Sequence, residues 1–295
     1  MALVPARVFA IANQKGGVAK TTTVHSLGAA LVGFGQRTLL VDLDPQACLT
    51  FSNGINPDEL DVSLHDVFLG RKQAHEVLVK TQSGTHLLPA CIDLAGAELH
   101  LLTKTGREFA LRRALKPLRD EYDVILLDCP PSLGILTING LTAADEVLIP
   151  LQCETLSRRG VGQLLETIDD VRDFTNPDLA IGGVIATMFD ARTNHSRNVL
   201  LSVQQEHSIQ VLHPPVRKSI RFAEAPEQGK TIFDLDPRSK GADAYRRLAR
   251  HLAGLPSLDE AEPASAPDGT DEERTDIGDR DPAEALQLAS GLSAR

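Results

Sequence analysis

Lys15 and Lys20 stand five positions apart on either side of a glycine pair, in the run Ala10-Ile-Ala-Asn-Gln-Lys-Gly-Gly-Val-Ala-Lys-Thr-Thr-Thr23. Two ammonium groups, adjacent glycines and a threonine run suit an oligophosphate. Backbone N–H groups of such a loop point at phosphate oxygens, and the N-terminus of a following helix adds partial positive charge. Lys20 is placed to reach the outer phosphates, and the hydroxyl of Thr21 can sit on Mg²⁺. The candidate cradle is therefore Lys15, Gly16, Gly17, Val18, Ala19, Lys20, Thr21 and Thr22. Two further stretches end apolar runs in carboxylates: Thr38 to Asp42 with Asp44 just beyond, and Val124 to Asp128 followed by Cys129-Pro-Pro-Ser132. An aspartate after an aliphatic strand is the kind of group that holds Mg²⁺ beside a phosphate chain, and Asp128 is the candidate.

The strict pattern G-x-x-x-x-G-K-[ST] is not met. Counting back from Lys20, its glycine positions hold Gln14 and Ala19. Alanine incurs a steric cost at positive φ, so the sequence predicts negative φ at Ala19.

These residues need strands that end at one edge and helices that start there. Val8–Ala12 reads as a strand running into the glycine loop, with Val24, Leu27, Ala30 and Leu31 patterned as the helix that follows. Further strands are expected at Arg37–Asp42, Thr85–Pro89, Tyr122–Asp128, Glu146–Pro150 and Ile181–Met188, and Val211-Leu212 runs into His213-Pro-Pro215. Helical periodicity marks Ser63–Phe68, His75–Val79, Asp93–Leu102, Glu108–Leu118, Thr155–Phe174, Ser196–Glu206 and Gly241–Leu252. Strands alternating with helices predict an α/β fold: a doubly wound, mostly parallel sheet with helices on both faces. Carboxylates at the strands' C-terminal ends then lie in the ligand crevice, which places Asp42 and Asp44 there. Residues 53 to 121 show no catalytic constellation, and His65, His75, His86 and His100 read as surface or packing residues.

With no Trp, two Tyr and nine Phe, the core must be built of aliphatic side chains, which suits a parallel sheet buried on both faces. The four cysteines have no C-x-x-C spacing, which argues against zinc or a disulfide framework and fits a reducing cytosol. No apolar run is long enough for a membrane span, and the first residues do not read as a signal peptide. The net charge of −10 is unevenly placed. Pro256–Arg295 holds eleven acidic and three basic residues, a net of −8, which leaves −2 for the rest. A body that close to neutral can present a basic face. Residues 1–254 are expected to form one domain built around the glycine loop. The acidic stretch 255–295, rich in Pro and Ala, is expected to be a disordered tail.

The glycine loop, with its early lysine, resembles the deviant Walker A motif of the ParA/MinD family of P-loop ATPases. Asp-Leu-Asp-Pro-Gln at 42–46 and Asp-Cys-Pro-Pro-Ser at 128–132 match the family's next two motifs. A fourth, Arg217-Lys-Ser-Ile-Arg-Phe-Ala-Glu-Ala-Pro226, is similar to the segment of ParA proteins that borders the nucleotide's base and supplies basic residues for DNA. The likeness spans residues 5 to 253, and the early glycine loop points to the short, chromosomal Soj type. It implies an ATPase using ATP and Mg²⁺, with Thr21 and Asp128 on the metal and Asp44 orienting the attacking water. Lys15 would reach the partner's ATP in a sandwich homodimer, and Lys218 and Ser219 would contact nucleotide. Arg192, Arg217, Lys218 and Arg221 would contact DNA without sequence preference. A ParB-type partner would stimulate hydrolysis, and the protein would be cytoplasmic, associated with the nucleoid and not with a membrane.

Other members of this broad class stay open at this stage. A MinD-like division-site ATPase would end in a basic amphipathic helix, whereas this chain ends in an acidic stretch that an anionic lipid surface repels. An orphan ParA-like ATPase could position some other cargo. An iron–sulfur reductase component on this fold would need cysteines arranged differently. A nucleotide-gated scaffold without turnover would follow if Ala19 misshapes the loop.

Overall fold

The computed structural model describes residues 5–153, 157–190 and 192–256. The expected acidic tail lies outside them except for Leu255 and Pro256. The described residues form an eight-stranded sheet in the order β3-β4-β2-β5-β1-β6-β7-β8. Its strands are β1 Arg7–Ile11, β2 Thr38–Asp42, β3 Val79–Lys80, β4 His86–Leu88, β5 Val124–Asp128, β6 Glu146–Gln152, β7 Ala180–Thr187 and β8 Val211–Leu212. All pairings are parallel except β3 with β4.

Helices cover both faces, so strand residues are apolar in alternation toward each side. Val8, Ala10, Leu39, Val41, Ile125 and Leu127 pack into one core. Phe9, Ile11, Leu40, Val124 and Leu126 pack into the other. The second core is closed by α1 (Lys20–Gly33) and α12 (Lys240–Leu252), through Leu27 and Leu31 against Tyr245, Leu248 and Leu252. The first is closed by α3 (Leu64–Leu69), α4 (Ala74–Val77), α5 (Leu94–Leu102), α6 (Ala110–Leu115), α7 (Ile135–Ala143), α8 (Ser157–Phe174) and α9 (Asn194–His207). Short helices α2 (Cys48–Ser52), α10 (Arg221–Glu227) and α11 (Ile232–Leu235) lie in the connections. No described helix is long and apolar enough to cross a membrane.

Three expectations need correction. Val79 is not helical but starts β3, the antiparallel edge strand. The helix expected over Glu108–Leu118 is broken: α6 ends at Leu115, and Lys116–Leu118 is a 3₁₀ turn carrying Pro117, which cannot extend an α-helical ladder. Helix α7 was missed because it is buried on nearly all sides and has no polar stripe to set its period. Gly140 lets it press on the end of β5: a Cβ there would lie 2.9 Å from Cys129 Sγ. Of the helix expected from Thr155, residues 155 and 156 lie outside the described residues.

Candidate nucleotide site

The sheet order brings the three sequence-marked stretches together. β5 lies between β2 and β1, with Asp128 in register with Asp42 on one side and with Ile11 on the other. The glycine loop leaves β1 just beyond Ile11, so Asp42, Asp128 and the loop share one edge.

The loop runs from Gln14 into α1. Gly16 and Gly17 are exposed, while Lys20 is buried. Gly17 has φ 71°. Ala19 has φ 65° and ψ 35°, which overturns the expectation of negative φ. The loop needs a left-handed residue at the helix start, and alanine meets the need with the smallest side chain that carries a Cβ, at a cost of about 1 kcal/mol. Three contacts hold the turn. Thr23 N–H donates to Ala19 O at 2.9 Å, Lys20 Nζ donates to Lys15 O at 3.2 Å, and Thr187 Oγ1 donates to Val18 O at 3.0 Å. Asn13 anchors the loop's start: its Nδ2 donates to Pro150 O on β6 at 2.7 Å, and its Oδ1 accepts from Lys15 N–H at 3.0 Å.

The carboxylates divide by role. Asp42 is fully buried and accepts from Thr50 N–H at 2.9 Å, Thr50 Oγ1 at 2.7 Å and Asp44 N–H at 3.1 Å. Thr50 Oγ1 also accepts from Ala90 N–H at 2.9 Å, so Asp42 pins α2 and the end of β4 to the sheet. Burial pushes its pKa up to about 6 against these hydrogen bonds. The sequence placed Asp42 in the ligand crevice. It does lie at that edge, and its oxygens also accept from the protein, which gives it a structural task there. Asp44 is half-buried, and one oxygen accepts from Gln46 N–H at 2.9 Å in a local turn.

Asp128 is 1% exposed, and neither of its oxygens has a hydrogen-bond partner. The Thr21 hydroxyl and the Lys20 ammonium both favour its charge, but neither makes a well-formed bond to it. Burial, and then the Asp42 carboxyl, holds its pKa well above the carboxylate range. Lys20 is shifted the opposite way: burial lowers its pKa, while the charge of Asp128 opposes that shift. A buried carboxyl with no partner, beside a threonine hydroxyl and an anion-cradling loop, fits a hard divalent cation that prefers oxygen ligands. Mg²⁺ fits on that ground.

Beside the loop lies a cavity of about 460 Å³, mostly apolar. Ala19, Thr22, Thr187, Phe222 and Tyr245 line it, with Lys218 and Ser219 on its wall. Tyr245 is buried and shares a hydrogen bond of 3.0 Å with Thr23 Oγ1. The segment 217–220 is joined to β7's end: Phe189 pairs with Arg217, and Phe189 N–H donates to Val216 O at 2.9 Å. Lys218 and Ser219 therefore do lie beside the glycine loop, as the motif implied.

The four cations marked for DNA are all exposed. Two of them are already paired: Arg192 with Asp190 at 3.0 Å, and Arg221 with Glu224 at 2.7 Å. The Arg192 guanidinium holds the Asp190 pKa down to about 2. Lys218 makes no ion pair among the described residues.

Sequence reasoning missed Asn13, Thr50 and Thr187. Asn13 carried a signal, being the first side chain after β1 with both a donor and an acceptor. Thr187 carried none, since its partner is 169 positions away. Among the described residues no histidine, cysteine or carboxylate cluster could hold a metal by itself. His65 and His86 are spent on Asp93 O and the Tyr122 hydroxyl, as packing residues.

A family model described as an AAA domain matches residues 6–181. The sporulation initiation inhibitor protein Soj of Bacillus subtilis is 44% identical over 84% of this chain and 98% of its own length. The chromosome partitioning protein ParA of Myxococcus xanthus is 45% identical over 83% of this chain and 87% of its own. A Mycobacterium smegmatis crystal structure described as cobyrinic acid a,c-diamide synthase with bound ATP analogue and magnesium is 53% identical, with TM-score 0.75, covering 86% of this chain and 99% of that one.

Proposed function

Because the chain belongs to the ParA/Soj family of P-loop ATPases, we propose that it is the ATPase of a DNA-partitioning system. On this reading it forms an ATP-sandwich homodimer on nonspecific DNA, and a ParB-type partner triggers hydrolysis and release. It would work in the cytoplasm, on the nucleoid. The observation that carries the reading is the partnerless Asp128 carboxyl facing Thr21 and Lys20 at the start of α1.

The glycine loop binds the phosphate chain through its N–H groups, and Lys20 neutralises the outer phosphates. Thr21 and Asp128 would hold Mg²⁺, which neutralises charge on the transferring phosphoryl group when bound. Asp44, half-buried with one oxygen uncommitted, orients the attacking water. Lys15 serves the partner's triphosphate, so a needed cation arrives only on assembly, in the manner of an arginine finger. The adenine occupies the cavity beside Ala19. Its wall is also the exposed segment that carries Arg217 and Lys218, so nucleotide occupancy and the DNA-facing cations share one piece of backbone.

A second reading comes from the 53% identical structure, whose description names a diamide synthase with a bound ATP analogue. Glutamine-fed amidation by a thiol needs an activated cysteine. Burial raises the pKa of Cys48, Cys129 and Cys153 alike, the reverse of activation. What favours partitioning is the likeness to Soj and ParA over most of the chain.

The test is retention on nonspecific duplex DNA with ATP and Mg²⁺. Wild type should be retained, with retention falling steeply as salt rises. Lys20→Ala and Lys15→Ala should not be retained, and none should sediment with anionic vesicles. If both variants bind DNA as wild type does, the proposed coupling of ATP to assembly and DNA is wrong.

A further inference from the structure

The helices α3 to α6 contribute nothing to the nucleotide site, yet they enclose a second cavity. This cavity, about 330 Å³, lies among α3, α4, α5 and α6. Four cations line it, Lys72, Lys104, Arg107 and Arg113, and no carboxylate does. Phe68 and Leu101 are among the apolar residues behind them.

The two arginines are held in place by their own loop. Arg107 Nη1 donates to Leu102 O at 2.6 Å, and Arg113 Nη1 donates to Gly106 O at 3.1 Å. Gly106 has φ 65°, the tight turn that brings its carbonyl to Arg113. Arg107 Nη2, Arg113 Nε and Arg113 Nη2 have no protein partner among the described residues. Planar N–H groups fixed this way match phosphate oxygens, and fixing them beforehand lowers the entropy lost on binding. The nearest acids sit at the rim. Glu108 takes Arg107 Nε at 3.0 Å, and Glu76 takes Lys72 at 3.2 Å. Both are part-exposed pairs of the kind that yields readily to a stronger anion. Lys104 is exposed and makes no ion pair among the described residues.

Four cations around one concavity repel one another, and a multiply charged anion offsets that repulsion. The surface is concave and small, so a duplex, which is a convex rod, cannot enter it. We propose that this cavity binds a compact oligophosphate, the pyrophosphate group of a small phosphorylated molecule, separately from the nucleotide site.

The test is calorimetric titration of inorganic pyrophosphate into the full chain already saturated with Mg²⁺ and ADP, so that the glycine loop is filled. Wild type should take one pyrophosphate per chain, with affinity falling as salt rises. Lys104→Gln with Arg113→Gln should weaken binding at least tenfold, and Lys104→Gln alone by less. ATP turnover and thermal midpoint should be unchanged in both. Arg217→Gln with Lys218→Gln should leave pyrophosphate binding as in wild type. Unchanged pyrophosphate binding in the Lys104/Arg113 variant would overturn the proposal. So would a variant that keeps pyrophosphate binding but loses DNA retention, since the face would then be a DNA contact.

Discussion

The C-terminal edge of β2, β5 and β1 and the exposed arginines Arg192 and Arg221 both carry charge, in opposite ways. At the sheet edge Asp128 is buried without a partner and Lys20 is buried against it. Arg192 and Arg221 are each matched to a carboxylate two or three positions away. A buried carboxyl whose oxygens have no partner is costly and needs a reason, so it points to a ligand. A compensated surface pair is nearly neutral in energy and identifies nothing by itself. The nucleotide end can therefore be argued from structure, whereas the DNA end rests on family likeness.

Substitutions at the two ends should then differ in size. The largest effect is expected for Lys20→Ala, which removes the buried cation from the outer phosphates. ATP turnover with DNA and partner present should fall at least about 100-fold, the usual scale for losing one preorganised charge on a developing anion. A fall of only two- or threefold would move the phosphates elsewhere.

Asp128→Asn is next, and it should act in two directions. It should abolish Mg²⁺-dependent tightening of ADP binding, measured by calorimetry. It should also raise the thermal midpoint of the metal-free protein at neutral pH. Asp128 has a folded pKa well above its ordinary value of 3.8. The folded chain therefore keeps a proton that the unfolded chain has released. This favours folding below pH 4 and is lost as pH rises toward the folded pKa. The amide escapes that loss. A lower midpoint for the variant would show that the carboxyl is satisfied in the free protein.

Thr187→Val tests the strap between the base cavity and the glycine loop. It leaves Val18 O without its buried donor, a loss of about 1–3 kcal/mol. KM for ATP should rise several-fold with a smaller change in kcat, and Thr187→Ser should restore both. Equal losses in kcat and KM, without rescue by serine, would make Thr187 a packing residue only.

The smallest effect belongs to the exposed end. Glu224→Gln frees Arg221 and should tighten DNA retention by about two- to threefold at low salt, with a steeper salt dependence. No change would remove Arg221 from the DNA surface.

The same contrast explains what could be read from sequence. The convergence of Lys20, Asp44 and Asp128 on one sheet edge was legible because each stands at or soon after a strand end. The parallel sheet was legible from its aliphatic strands. Ala19 was misread because steric preference pointed to negative φ, while the closure of the loop around Val18 demanded the opposite. Asp42 was placed correctly at the sheet edge, but strand position does not reveal that Thr50 and the Asp44 N–H already bond to its oxygens. Asn13 and Thr187 work through partners more than a hundred positions away, which no local pattern reports. The basic cavity was invisible for the same reason. Lys72 and the 104–113 run are separate in sequence, and only α3 to α6 bring them together.

The most direct test of the account is proton release. Mg²⁺ with ADP should be titrated into the protein near pH 6 and at pH 8, in two buffers of different ionisation enthalpy. A partnerless Asp128 whose hold on a proton is strengthened by burial predicts protons released on binding, with affinity weakening as pH falls, and no such release in Asp128→Asn. Equal heats in both buffers for wild type at both pH values would mean that the carboxyl is not waiting for the metal, and the reading of this edge as an ATP and Mg²⁺ site would fail.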